Sequence, residues 1–212
     1  YTLLCSRSHR SWIYSASIMD IKRKHKNNEL LSKTDFSTTI KNCLEVNPVK
    51  TAIVVIDMIN DFVTGSLKCE RAQRVIPNVR RLLNFARKKG TLVIYTNDTH
   101  LPGIDEEFEV WPQHAVIGTK GAEVIEELKP EKGDYVLQKR RYSAFFETYL
   151  ALLLRELKVD TLVLVGLVTN VCIQNTAADA FFRGYKILVP EDCVEAINEE
   201  AQKTAIEYMK TI

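Results

Sequence analysis

Six side chains in this sequence have the types and order for acyl-transfer and metal chemistry: Asp57, Asp98, His100, His114, Lys139 and Cys172. A cysteine is a strong nucleophile only as its thiolate, and a free thiol with a pKa of about 8.5 supplies only a few per cent of that form at neutral pH. An acid such as Asp57 can accept the thiol proton and later hand it to a leaving amine. A lysine ammonium favours both an ionised carboxylate and a thiolate. Asp98-Thr99-His100 is a D-x-H pair, and His114 in Trp111-Pro112-Gln113-His114 supplies a second imidazole. Two histidines and a carboxylate, with water in the open positions, suit Zn²⁺ and also Mn²⁺ or Fe²⁺. By themselves such loop histidines are more often simply solvated.

The elements that must position these groups follow from apolar spacing. Thr51–Ile56 is a continuous β-branched run, the pattern of a strand buried on both faces. Ala72 to Lys89 has helical spacing and stops at Gly90. Thr91 to Thr96 reads as a strand, Asp134 to Gln138 as another, and Ala144 to Leu157 as a helix. Thr161–Val165 is a further buried strand, Cys172 to Arg183 a helix closed by Gly184, Lys186 to Val189 a strand, and Val194 to Met209 a last helix. Strand and helix alternate, which predicts an α/β fold: a mainly parallel, doubly wound sheet in a three-layer α/β/α arrangement. Ligands of such sheets bind beyond the carboxyl ends of the strands. Asp57, Asp98, Lys139 and Cys172 all fall at or just after strand ends. The helix that opens at Cys172 adds its partial positive charge in favour of a thiolate.

Composition narrows the remaining classes. At 212 residues, with 46% hydrophobic and 26% charged residues, the chain has the make-up of a globular protein able to bury its own core. A formal net charge of +2 argues against a nucleic-acid partner. No apolar run approaches the roughly 20 residues of a membrane span. Five cysteines, widely spaced and without a CxxC pair, argue against a disulfide framework or zinc ribbon and for a reducing, cytoplasmic setting. Residues 1–49 differ from the rest. Tyr1 to Met19 lacks acids and is followed by a Lys-rich stretch, which reads as an extension that is either an organellar transit segment or a poorly ordered leader. His9 and His25 lie in it, outside the domain expected over residues 50–212.

Three ordered motifs carry a family resemblance. Asp57-Met58-Ile59-Asn60-Asp61-Phe62 resembles the D-x-x-x-D-F opening of isochorismatase-like hydrolases. Lys139 to Phe145 resembles their lysine segment, and Gly166 to Cys172 their G-x-x-T-D-x-C nucleophile elbow. The resemblance implies an Asp57–Lys139–Cys172 catalytic triad. It also implies a cis peptide between Leu167 and Val168, with the Val168 and Cys172 amides as an oxyanion hole. Asp98, His100 and His114, with Gly118-Thr119 and Gly121-Ala122-Glu123 nearby, are similar to the nicotinamidase branch. There a metal holds the pyridine nitrogen and aromatic walls flank the ring; the matching positions are Phe62, Trp111 and Tyr142. The expected activity is hydrolysis of nicotinamide or a related amide by a homo-oligomer, dimer or tetramer. Thr99, where nicotinamidases usually have tryptophan, and Asn170, where an acid is usual, keep open a ureido or N-carbamoyl substrate. Isochorismatase-type chemistry would leave Cys172 without a role, and a non-enzymatic ligand-binding module is a further alternative.

Overall fold

A computed structural model describes residues 13–16 and 50–211; the rest of the segment read as an amino-terminal extension, including His9, Met19 and His25, lies outside the described residues. Strand β1 is Ile13–Ala16 and β2 is Thr51–Ile56. The short helix α1 spans Asn60–Val63 and α2 spans Ile76–Lys88. Strands β3 (Leu92–Asp98) and β4 (Tyr135–Lys139) follow, then α3 (Leu150–Glu156) and β5 (Thr161–Leu167). A π-helical turn, Thr169–Ile173, leads into α4 (Gln174–Phe182). Strands β6 (Lys186–Pro190) and β7 (Val194–Glu195) and helix α5 (Glu199–Met209) complete the fold.

One sheet contains all these strands in the order β1-β6-β5-β2-β3-β4, with β7 beside β5. Every pairing is parallel. Alternation along β2 produces the three layers directly. Ile53 and Val55 join the core beneath α2, with Val79, Leu82, Leu83 and Ala86. Ala52, Val54 and Ile56 face the opposite core, with Leu150 and Leu154 of α3, Ala177 and Ala180 of α4, and Ile206 and Met209 of α5. Full burial of each such leucine or isoleucine contributes about 1.5–3 kcal/mol. No helix of the described residues is long and apolar enough to cross a membrane.

Several boundaries differ from the sequence expectation, for local reasons. The helix expected from Ala72 begins as a 3₁₀ turn, and α2 proper starts at Ile76 with Pro77 in its first turn, where a missing N–H is harmless. Only Leu150–Glu156 of the expected helix Ala144 to Leu157 is α-helical. The Thr176 hydroxyl takes the Ala144 amide at 3.0 Å, Ser143 takes that of Phe145 at 3.2 Å, and Glu147 is left-handed at φ +53°. The last helix begins late because Val194–Glu195 pairs with β5 and Asn198 then caps α5, accepting from the Ala201 amide at 2.8 Å. Asp98 and Lys139 are the final residues of their strands rather than the first beyond them.

Gly166 pairs with Ile56 at the end of the β2–β5 ladder. Its φ is +115°, and a Cβ there would stand 2.1 Å from the Ile56 carbonyl oxygen. Gly166→Ala is expected to lose about 2–5 kcal/mol, combining the left-handed penalty with overpacking. Urea denaturation checks this; a loss under about 1 kcal/mol contradicts the close approach.

Candidate active site

Asp57 leaves the end of β2 at φ +53°, a left-handed conformation that aspartate tolerates better than most residues. Its own amide donates to the Thr96 carbonyl at 3.1 Å, and its Oδ1 accepts the Asp98 amide at 2.8 Å. These bonds to β3 aim the carboxylate along the rim. Lys139, the residue paired with Asp98 across β3 and β4, is fully buried. Its ammonium lies 2.8 Å from Asp57 Oδ2, 2.5 Å from Asp98 Oδ1 and 3.6 Å from Cys172 Sγ. The expected triad is therefore brought together, and Asp98 belongs to the same cluster. One donor atom from each of Asp57, Asp98 and Cys172 lies within 4.8 Å of the others, with Lys139 as the cation among them.

Burial sets the protonation pattern. Burial first, then the Asp98 charge, pushes the Asp57 carboxyl up to about 7 against the pull of Lys139. Burial works against an ionised Asp98, but Lys139 and His100 outweigh it and hold its carboxyl below the usual range. The two carboxylates likewise overcome burial to keep Lys139 charged. Cys172 moves the other way: burial, reinforced by Asp57 and Asp98, raises its thiol well above the usual value despite Lys139. Burial thus outweighs the thiolate-favouring influence expected of Lys139 and the helix start. Cys172 is also not the first residue of a helix but lies within the turn Thr169–Ile173. Asp57 is the carboxylate beside it, with a donor atom within 4.8 Å of the sulfur.

The peptide between Leu167 and Val168 is cis, as expected. The Val168 carbonyl accepts from the Val171 and Ile173 amides at 3.0 and 3.2 Å, which fixes the turn carrying Cys172.

The histidines meet through a different set of bonds. The His100 amide donates to the Ala115 carbonyl at 2.8 Å, and the Ile117 amide to the His100 carbonyl at 3.0 Å. The imidazoles of His100 and His114 consequently lie 4.7 Å apart. Asn60 and Asp61 of the first motif hold this loop in place. Asp61 Oδ2 accepts the Ala115 amide at 2.7 Å, and Asn60 donates to the Lys120 and Glu123 carbonyls at 2.8 and 3.0 Å. Gly121 lies against the Asp61 carboxylate, where a Cβ would press on Oδ2 and displace it from this bond.

Asp98, His100, Glu107 and His114 each place a donor atom within 4.8 Å of the others. His114 Nδ1 donates to the Pro112 carbonyl at 2.7 Å, which leaves Nε2 with its lone pair free for a ligand. Both ring nitrogens of the fully buried His100 lack a hydrogen-bond partner. Buried polar atoms of that kind call for a partner, and a divalent cation supplies one. The residues present fit such an ion. Glu107 was not among the residues expected from sequence: an acidic run over 105–109 does not reveal which carboxylate the 3₁₀ turn Glu106–Glu109 directs inward.

The aromatic residues divide. Phe62 is buried with its ring 5.5 Å from that of His114. Phe108, not foreseen, stands edge-on to His100 at 5.3 Å and to His114 at 5.8 Å. Trp111 and Tyr142 are more exposed and bond to each other, the indole N–H donating to the phenol oxygen at 3.2 Å.

A three-layer α/β/α fold with a polar cluster at the carboxyl rim of a parallel sheet is shared by many enzyme families, and comparison with known proteins gives this one. The isochorismatase domain matches residues 51–212. The chain belongs to the isochorismatase family. Among solved structures it is similar to N-carbamoylsarcosine amidase from Thermoplasma acidophilum, with 40% identity over 76% of this chain and 93% of that one and a TM-score of 0.71. Nicotinamidase PncA from Bacillus subtilis is 33% identical over 76% of this chain and 94% of its own, with a TM-score of 0.71. Pyrazinamidase of Pyrococcus horikoshii, solved in complex with zinc, is 30% identical over 76% of this chain and 95% of its own, with a TM-score of 0.72.

Proposed function

We propose that residues 50–212 form a cysteine amidohydrolase that converts a carboxamide to its acid and ammonia through a thioester on Cys172, with nicotinamide as the best-fitting substrate. The carrying observation is the division of Asp98 between two clusters. Its Oδ1 lies 2.5 Å from Lys139, in the group with Asp57 and Cys172, while its Oδ2 faces His100 Nε2 at 3.7 Å, in the group with Glu107 and His114. A small flat amide can therefore engage both groups at once.

Asp57 takes the Cys172 proton as the sulfur attacks the carboxamide carbon. The Val168 and Cys172 amides hold the oxyanion, a contribution of about 3 kcal/mol per donor. Asp57 then returns the proton to the departing nitrogen, and ammonia leaves a thioester. Asp57 next removes a proton from water, whose oxygen attacks the thioester; the acid departs and the sulfur regains a proton. Lys139 stays charged throughout, steadying Asp57 and the transient thiolate. Asp98, His100 and His114, with Glu107, would hold a divalent cation, Zn²⁺ before Mn²⁺ or Fe²⁺. When bound, that ion supplies a Lewis-acid anchor for a ring nitrogen. Phe62, Trp111 and Tyr142 supply aromatic surface for the ring.

A base pushed up to about 7 is protonated, and idle, below that pH. kcat/KM is therefore expected to fall about tenfold per unit as pH drops below 7 and to level off above it. A flat profile from pH 5 to 8 rules out Asp57 as the base.

Ammonia release from nicotinamide, pyrazinamide and ureidoacrylate, with and without a chelator, tests the substrate reading. The expected result is preference for nicotinamide and loss of that activity on metal removal, restored by Zn²⁺. A second reading, an N-carbamoyl or ureido substrate, is favoured by the 40% identity to N-carbamoylsarcosine amidase and by Thr99 between the metal-site residues. It predicts ureido turnover that survives the chelator.

A further inference from the structure

Lys139, Arg140 and Arg141 are consecutive cations, but only Lys139 enters the catalytic cluster. The two arginines converge on Asp105, whose side chain is wholly buried although theirs are partly exposed. Asp105 Oδ1 accepts from Arg140 Nη2 at 2.7 Å and Arg141 Nη1 at 3.1 Å. Its Oδ2 accepts from Arg140 Nε at 3.1 Å and from the Leu101 amide at 2.6 Å. Two guanidinium groups and a backbone amide thus hold the Asp105 carboxylate in place.

The same Oδ2 lies 3.4 Å from His100 Nδ1, while His100 Nε2 faces Asp98 Oδ2 on the other side of the ring. A neutral imidazole can place one proton only, and Nδ1 stands nearer its carboxylate, at 3.4 Å against 3.7 Å for Nε2. That choice leaves the Nε2 lone pair directed toward Asp98, the side on which Glu107 and His114 also gather. His114 reaches the equivalent state by donating Nδ1–H to the Pro112 carbonyl. A carboxylate behind a ligand histidine fixes its tautomer and ring plane and raises its basicity.

We propose that Asp105 is the positioning residue for His100, fixing it as the Nδ1–H tautomer with Nε2 free to bind a cation, and that Arg140 and Arg141 hold Asp105 for this task. The assignment rests on the metal reading above. It makes the end of β4 and the two residues beyond it serve both groups: Lys139 orders the carboxylates beside Cys172, and the next two residues order the histidine of the metal group.

Asp105→Asn tests it, since asparagine keeps the volume and an oxygen for the Leu101 amide. Zn²⁺ affinity of the full chain is measured by competition with a chelator, alongside the melting temperature of the metal-free protein. The expected result is a Zn²⁺ affinity about 10–100-fold weaker than wild type. A purely structural role would lower the melting temperature and leave the affinity of the folded protein unchanged, overturning the proposal. Imidazole ¹⁵N spectra of Zn²⁺-loaded wild type give a second readout that needs no variant to fold. They should show His100 protonated at Nδ1 and bound through Nε2; the reverse overturns the assignment. Wild type that binds no Zn²⁺ removes the metal reading and this proposal together, whereas equal binding by wild type and Asp105→Asn removes this proposal alone.

Discussion

Cys172→Ala should lower turnover by about 10⁴-fold or more, the scale seen when an enzyme loses its nucleophile. Among the described residues no other thiol can take its place. Cys69 bonds through its sulfur to the Ala196 carbonyl at 3.4 Å, and Cys193 is buried in the core cluster beneath α2. Lys139 is held charged by two carboxylates and offers no lone pair. The structural cost is small, because the sulfur is replaced in a buried site by a slightly smaller group, at about 1–2 kcal/mol. Asp98, His100, Glu107 and His114 are untouched, so metal content should match wild type. Ammonia release, circular dichroism and metal analysis on the same preparation decide the matter. A variant within tenfold of wild type would end the thioester mechanism.

Lys139→Met should produce the largest loss of stability, about 3–5 kcal/mol, by stranding buried charge. The ammonium is the sole cation within hydrogen-bonding distance of both Asp57 and Asp98 among the described residues, and all three side chains are almost completely buried. Methionine restores the volume but not the charge. Without Lys139 the Asp57 carboxyl rises further above its unfolded value, and the Asp98 carboxyl, now held below its own by the lysine, rises out of buried charge as well. A carboxyl whose folded pKa exceeds its unfolded one binds more protons when folded, so stability falls as pH rises. The deficit of the variant should accordingly be small near pH 5 and grow toward pH 8. Denaturation of the metal-free proteins across that range provides the measurement; a deficit independent of pH, or below about 1 kcal/mol at pH 8, contradicts this account. The variant should also be inactive, since Asp57 would then be protonated at neutral pH.

The two variants separate functions that share one cluster. Removing Cys172 leaves the charges balanced and removes only chemistry. Removing Lys139 upsets the charges first and chemistry as a consequence. Their contrast is a direct check that the buried ion group supports the fold as well as the reaction.

Much of this was written in the sequence because the determining forces are local. A β-branched run such as Thr51–Ile56 or Thr161–Val165 can be satisfied only as a strand covered on both faces, and alternation with helices then forces a parallel sheet. A parallel sheet collects the residues after its strands on one rim, which is why Asp57, Lys139 and Cys172 could be grouped before any coordinates. The D-x-H spacing of Asp98 and His100 was visible for the same reason.

What tertiary structure alone decided depends on who neighbours whom. Strand order places β3 between β2 and β4, and this makes Asp98 a bridge between Lys139 and His100 rather than a metal-group residue only. The phase of a short 3₁₀ turn selects Glu107 and Phe108 from an acidic stretch with no pattern of its own. The Cys172 thiol is pushed up, against the pull expected of Lys139, because desolvation sums over every segment packed around the sulfur. The sequence brings Asp57, Asp98, Lys139 and Cys172 to one rim, but it does not display the dry core that outweighs the lysine's pull on the thiol.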